Sequence, residues 1–143
     1  MKEKIENLKP MAHTAQNRCF GCGPAKPAGL QLEFLLGEDG STVCLTTVPD
    51  RFDGHPGRLH GGIIATLLDE AMSKAVRSFG LTAATGRMEI DYLRPVPSGA
   101  RLRMEGRVVC SECRKHWTEA EILNARGTLL AQGKGLFIEM RAR

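Results

Sequence analysis

The chain holds 143 residues, 42% apolar, 25% charged and 5% aromatic. That balance excludes collagen-like, disordered and repeat-array chains and fits a single globular domain. A domain of this size buries roughly 70% of the surface its unfolded chain exposes, enough for a core without staples. Twenty Lys and Arg against 16 Asp and Glu leave a net charge of +4. The excess lies in residues 101–143, with nine basic and five acidic residues. This is too mild for a nucleic-acid stripe, yet it suits a small anionic ligand.

The opening MKEKIENLKPMAHTAQ lacks the apolar segment of a secretory signal. No apolar run reaches the ~18 residues of a membrane span, and the longest, near 61–68, ends at Asp69 and Glu70. The expectation is one cytoplasmic domain over 1–143 with neither nucleic-acid nor membrane partners. Residues 1–29 form an N-terminal extension and loop.

In chain order, Ile5, Leu8 and Met11 suggest a short helix limited by Pro10. CFGCGPAKPAGL is too rich in Gly and Pro for regular structure and reads as an ordered loop. Leu30, Leu32, Phe34 and Leu36 alternate as a strand; Val43, Leu45 and Thr47 suggest another after the turn at Gly37 to Gly40, with Cys44 in the core. RFDGHPGRLHGG is a shaped loop, followed by the one long helix, from about Gly61 to Phe79 and stopped by Gly80. Period-two alternation then returns through Met88, Ile90 and Tyr92, and again through Leu102, Met104 and Val108. Two more strands follow, from about Trp117 to Asn124 and from Leu129 to Met140, with Gly133 and Gly135 marking a bulge or a close approach. Strands that follow one another without helices pair antiparallel, and a lone apolar helix needs a sheet to bury it. The fold class is therefore α+β, an antiparallel sheet curved around one helix.

Four of the five cysteines form two CxxC pairs, Cys19 with Cys22 and Cys110 with Cys113. Their separation far exceeds the ~15–20 residues of a zinc ribbon, so four unrelated thiols, and no metal, are the expectation. His13 and His116 read as surface residues. On a helical wheel Glu70, Lys74 and Arg77 fall on one solvated face. The opposite arc holds Ile64, Ala65, Leu68, Ala71, Met72, Ala75, Val76 and Phe79, with Asp69 at its edge. Such a carboxylate could simply bond a sheet edge or a loop.

The helix start adds a second feature. There the N–H groups of Gly61 and Gly62, after His60, lack intrahelical partners and the dipole is positive. Paired glycines let a ligand approach this backbone closely, and such an end can hold an anion or the oxyanion of an acyl-transfer transition state. Eight residues separate Gly61 from Asp69, about 12 Å along the axis, too far for both to serve one reacting carbonyl. If both act, they meet across two copies of the chain.

HPGRLHGGIIATLLDEAM, followed by ATGRMEIDYLRPVPSG, resembles the hotdog-fold acyl-CoA thioesterases of the HGG-signature branch, which includes the phenylacetate-pathway thioesterases and their mammalian relatives. The likeness runs from the NRCFGCG loop to near the C-terminus. It implies a hotdog fold, a homodimer or dimer of dimers, and hydrolysis of an acyl-CoA thioester without a cofactor. It further implies that Asp69 is general base or nucleophile and that the Gly61 N–H polarises the carbonyl. His60 would shape the turn or bond the substrate, and Thr85 would help hold the attacking water. Gly62, His55 and Tyr92 are expected to contact the substrate, Tyr92 by lining the acyl tunnel. Some relatives carry Asn where this chain has Gly54, beside His55. That departure leaves room for a rival, a domain that binds acyl-thioesters without cleaving them.

Overall fold

The computed structural model describes residues 5–12 and 14–140. Among them is one α-helix, α1 (Gly61–Arg77), and one seven-stranded antiparallel sheet. Its strands are β1 (Lys9–Pro10), β2 (Leu35–Leu36), β3 (Thr42–Thr47), β4 (Ala83–Tyr92), β5 (Arg101–Glu112), β6 (Lys115–Asn124) and β7 (Leu129–Glu139). They lie in the order β1-β2-β3-β5-β6-β7-β4. The strand that follows the helix therefore closes one end of the sheet, paired among the described residues only with β7.

α1 packs on β3 through β7. Leu68, Met72, Met104, Ile122 and Phe137 are fully buried between helix and sheet, each contributing roughly 1.5–3 kcal/mol of transfer free energy. Of the close approaches expected at Gly133 and Gly135, only the one at Gly135 is present. A β-carbon at Gly135 would lie 3.0 Å from the Phe137 ring and 3.1 Å from the Met72 sulfur. Gly106 makes a still closer approach, since a β-carbon there would overlap the Ala71 carbonyl of the helix.

Several local expectations are corrected. Described residues near the N-terminus form no helix; Lys9 and Pro10 instead pair with Leu36 and Leu35, Pro being tolerated on an outermost strand because no donor is needed there. Of the run 30–36 only Leu35–Leu36 is strand, because Gln31 adopts a left-handed φ of 50° that breaks the extended path. The alternation survives as burial, with Leu32 and Phe34 inside. In β3, Cys44 faces the core opposite Met104, so pleat parity turns Leu45 outward, 55% exposed. Phe79 lies beyond the helix and is exposed, whereas Leu67, beside Lys74 on the wheel, is fully buried. His116 is buried between Ser111 and Glu139 rather than solvated. His13, Arg141 and Arg143 lie outside the described residues.

The expectation of a solvated helix face holds for Arg77, which is exposed, and fails for Glu70 and Lys74. The CFGCG loop lies over that face, bringing Cys19 to Glu70 and Cys22 to Lys74. α1 is thus covered on two sides, by the sheet and by the loop. It is also too short and polar to cross a membrane, as is every helix among the described residues.

Candidate active site

The site begins at the helix start. His60 is the N-cap, extended at φ −61° and ψ 142°, and its Nδ1 accepts from the Gly62 N–H at 2.9 Å. That bond satisfies one of the orphan donors and fixes which ring nitrogen is unprotonated. The N–H groups of Ile63 and Ile64 turn back to the His60 carbonyl. The Gly61 N–H has no partner among the described residues. Its carbonyl accepts from the Tyr92 hydroxyl at 3.0 Å, tying the helix start to the end of β4.

A cleft of about 550 Å³ opens here, lined by His55, Arg58, His60, Gly61, Tyr92 and Arg94 among others. Four of the expected site residues, His55, His60, Gly61 and Tyr92, therefore share one cleft. Arg58 and Arg94 were missed by the sequence reading; both flank its motifs, in GRLHGG and YLRP, but a surface arginine carries no signal of its own. At Gly54 a β-carbon would lie 3.3 Å from the His60 Cα, so a side chain there would press directly on the cap.

Two helical turns on, Asp69 is half-buried. The Thr85 hydroxyl of β4 donates to its Oδ1 at 2.6 Å. This is the bond to a sheet edge that a purely structural Asp69 would also make. Structure places Asp69 with Thr85, and Gly61 with Tyr92, at separate points along α1. One chain does not bring the carboxylate to the Gly61 amide.

Next to Asp69, Glu70 faces the other way. Burial pushes its carboxyl above the usual range, Lys74 opposes that rise and the Asp69 charge adds to it. The Cys22 thiol is also pushed up, first by burial and then by Glu70, against the lowering influence of Lys74.

This arrangement, one long helix bedded in a seven-stranded antiparallel sheet, is the hotdog fold. The chain belongs to the thioesterase superfamily, whose family model matches residues 56–131. It is similar to the acyl-coenzyme A thioesterase THEM4 of Bos taurus, 29% identical over 78% of this chain and 48% of that protein. Among solved structures it resembles the E. coli PaaI protein from the phenylacetic acid degradation operon. There the TM-score is 0.73 and the identity 26%, over 79% of this chain and 82% of that one. A Streptococcus mutans protein solved bound to acetyl CoA gives a TM-score of 0.72 at 25% identity, over 78% of this chain and 90% of that one. The chain spans about half the length of the THEM4 relatives it matches.

Proposed function

We propose that this protein hydrolyses the thioester bond of an acyl-CoA, or a related acyl-thioester, at a site shared between two copies of the chain in the cytoplasm. The observation that carries this reading is the placement of Asp69 with Thr85 at one end of β4 and of Gly61 with Tyr92 at the other.

β4 is a ten-residue strand paired on one side only among the described residues, and largely exposed. Such an edge is a ready template for another strand. If two copies pair β4 antiparallel about a two-fold axis, centred between Met88 and Glu89, Thr85 of one falls opposite Tyr92 of the other. The same operation sets one copy's Asp69 beside the other's Gly61 and generates two identical sites. Neither end of the helix suffices alone; the pair of ends does.

In each site the Gly61 N–H, at the positive end of the helix, donates to the thioester carbonyl oxygen and stabilises the negative charge that develops on attack. Asp69 either takes a proton from the attacking water or attacks the carbonyl itself, its orientation held by Thr85. The tetrahedral species then collapses with expulsion of the coenzyme thiolate, a leaving group that needs no strong acid; where Asp69 itself attacks, the anhydride so formed is then cleaved by water to the free acid and the Asp69 carboxylate. His60 shapes the cap. Gly62 leaves the backbone open to approach, while His55 and Tyr92 line the path of the acyl group. Arg58 and Arg94 offer cations to the coenzyme's phosphates at the cleft mouth. A homodimer is the smallest competent unit, and a dimer of dimers is compatible with it.

The test is a panel of acyl-CoAs scored by free-thiol release, with Asp69→Asn and Gly61→Pro proteins made singly and by co-expression. Singly, both should be near background. Co-expressed at random, mixed dimers should restore about a quarter of wild-type activity, because half the dimers are mixed and each carries one intact site. No recovery in verified mixed dimers would refute the shared site. Tight acyl-CoA binding with no thiol release across the panel would favour the non-catalytic rival, for which Gly54 in place of Asn speaks.

A further inference from the structure

The loop over the back of α1 gathers a second set of chemically active side chains that thioester hydrolysis does not use. The Cys19 sulfur lies 3.7 Å from Glu70 Oε1. Cys19 Sγ, Cys22 Sγ and a Glu70 carboxylate oxygen all fall within 4.8 Å of one another. From the structure we infer that Cys19, Cys22 and Glu70 form a binding site for one thiophilic divalent cation of the zinc class, which ties the N-terminal loop to the helix carrying Asp69.

Geometry supports this first. A tetrahedral zinc ion with bonds of ~2.3 Å to sulfur and ~2.0–2.2 Å to oxygen has its ligand atoms about 3.3–3.8 Å apart. The Cys19–Glu70 separation already matches that edge, and the remaining atoms need close in by no more than about 1 Å. The cage is also stiff. Asn17 Oδ1 accepts from the Cys19 N–H, the Gly23 N–H returns to the Cys19 carbonyl, and the Phe20 and Gly21 carbonyls are held by Leu30 and Leu32. Gly21 is needed because a β-carbon there would run into the Glu70 carboxylate.

Charge supports it second. Two thiolates and one carboxylate carry three negative charges, which a divalent ion lowers to one. Lys74, whose Nζ lies 3.2 Å from Cys22 Sγ, cancels the last. An ammonium beside a metal ligand would ordinarily weaken the site; here it makes the filled set neutral. Asn17 Nδ2, 3.5 Å from the same sulfur, is a second outer donor of the kind that orients metal-bound thiolates. Cys22 is buried and Cys19 exposed, so the ion has an entry path and its fourth position faces solvent. On binding, each thiol loses its proton to the medium and both metal–sulfur bonds form without any change of oxidation state.

Cys110 and Cys113 take no part. They sit exposed at the far end of β5 and beyond it, so the four-thiol site that two CxxC pairs could suggest is not assembled among the described residues.

The reduced, chelator-stripped full-length protein should be titrated with cobalt(II), then with zinc(II). One equivalent per chain should bind, with thiolate-to-cobalt charge-transfer absorption in the near ultraviolet that zinc abolishes. Cys19→Ser and Cys22→Ser should each weaken binding roughly 100-fold or more, and Glu70→Gln or Lys74→Met roughly tenfold. The Cys110→Ser/Cys113→Ser double variant should bind like wild type. A featureless cobalt titration of the folded wild type overturns the proposal, whatever the variants do. So does charge-transfer absorption that persists in Cys19→Ser or vanishes with Cys110 and Cys113, or a Cys19–Cys22 disulfide that resists mild reductant.

Discussion

The Thr85 hydroxyl donates to Asp69 Oδ1 across the gap between β4 and α1, at 2.6 Å. This bond fixes the direction of the one carboxylate on the edge of the helix's apolar arc, and it comes from a strand whose outer side is free. Thr85→Val should lower kcat roughly 100-fold, the scale of a small misplacement of a catalytic group, while leaving KM nearly unchanged. Thr85→Ser should restore most of the rate. Because Thr85 is exposed, urea unfolding should shift by about 1 kcal/mol at most. A KM effect as large as the kcat effect would show that Thr85 contacts substrate instead.

Position 61 separates backbone donor from side-chain space. A β-carbon at Gly61 would lie 3.8 Å from Tyr92, ordinary contact, so Gly61→Ala should retain activity within a few fold. Gly61→Pro removes the N–H at a helix position where proline is favoured, and the extended His60 already has the conformation a residue before proline prefers. Its fold should therefore survive while kcat falls by about 10²–10³, as for loss of one oxyanion donor. Circular dichroism and thiol release on the same sample check both halves.

Arg58 and Arg94 line the cleft from the loop before α1 and the turn after β4. Both are exposed, so each contact to a phosphate should contribute on the order of 1 kcal/mol or less. Arg58→Ala and Arg94→Ala should each raise KM for an acyl-CoA up to roughly fivefold with kcat intact. Added salt should raise the wild-type KM more than that of the double variant.

At Gly106 the helix backbone comes so close that no β-carbon fits. Gly106→Ala must push α1 away from β5, an overpacking cost of about 2–3 kcal/mol. A fall in the urea midpoint with an unchanged slope would register it. A neutral result would mean that the helix can slide without loss.

Cys44 is buried opposite Met104, and burial pushes its thiol from about 9.0 up to about 12. Since the thiolate is the nucleophile, native protein at pH 8 should be alkylated at Cys110 and Cys113 but not at Cys44. Mass spectrometry of the modified peptides decides this. The native state holds the Cys44 proton more tightly than the unfolded chain. Its contribution is therefore fully present below about pH 9 and is lost as pH rises toward 12, so the melting temperature should fall across that window.

The long helix, the four strands after it and the pairing of His60 with Gly61 at the helix start were legible because each rests on local spacing, whereas Tyr92 entered only through the family resemblance. Periodicity marks which face of a segment is apolar, and a glycine pair after a cap-forming residue marks a helix start. What was not legible depends on which segments meet. Glu70 and Lys74 have the spacing of a solvated pair, and only the arrival of Cys19 and Cys22 from 50 residues away makes them half-buried. His116 follows a hairpin of charged residues, yet its ring turns inward to Ser111 and Glu139. The short strand near Leu36 fails over most of its expected length because one residue, Gln31, takes a left-handed turn that its side chain does not advertise.

The position of β4 in the sheet has a consequence for biosynthesis. Although β4 follows α1 directly in the chain, it is held in the sheet by β7, from Ala83–Glu139 to Tyr92–Ala131. Along the chain Asp69 and Thr85 both precede the strand that holds one against the other, which begins only at Leu129. A nascent chain stalled before residue 129 would own every candidate residue and still have no seat for Thr85. Thr85 is thus seated against Asp69 in a single step, when β7 slots between β6 and β4.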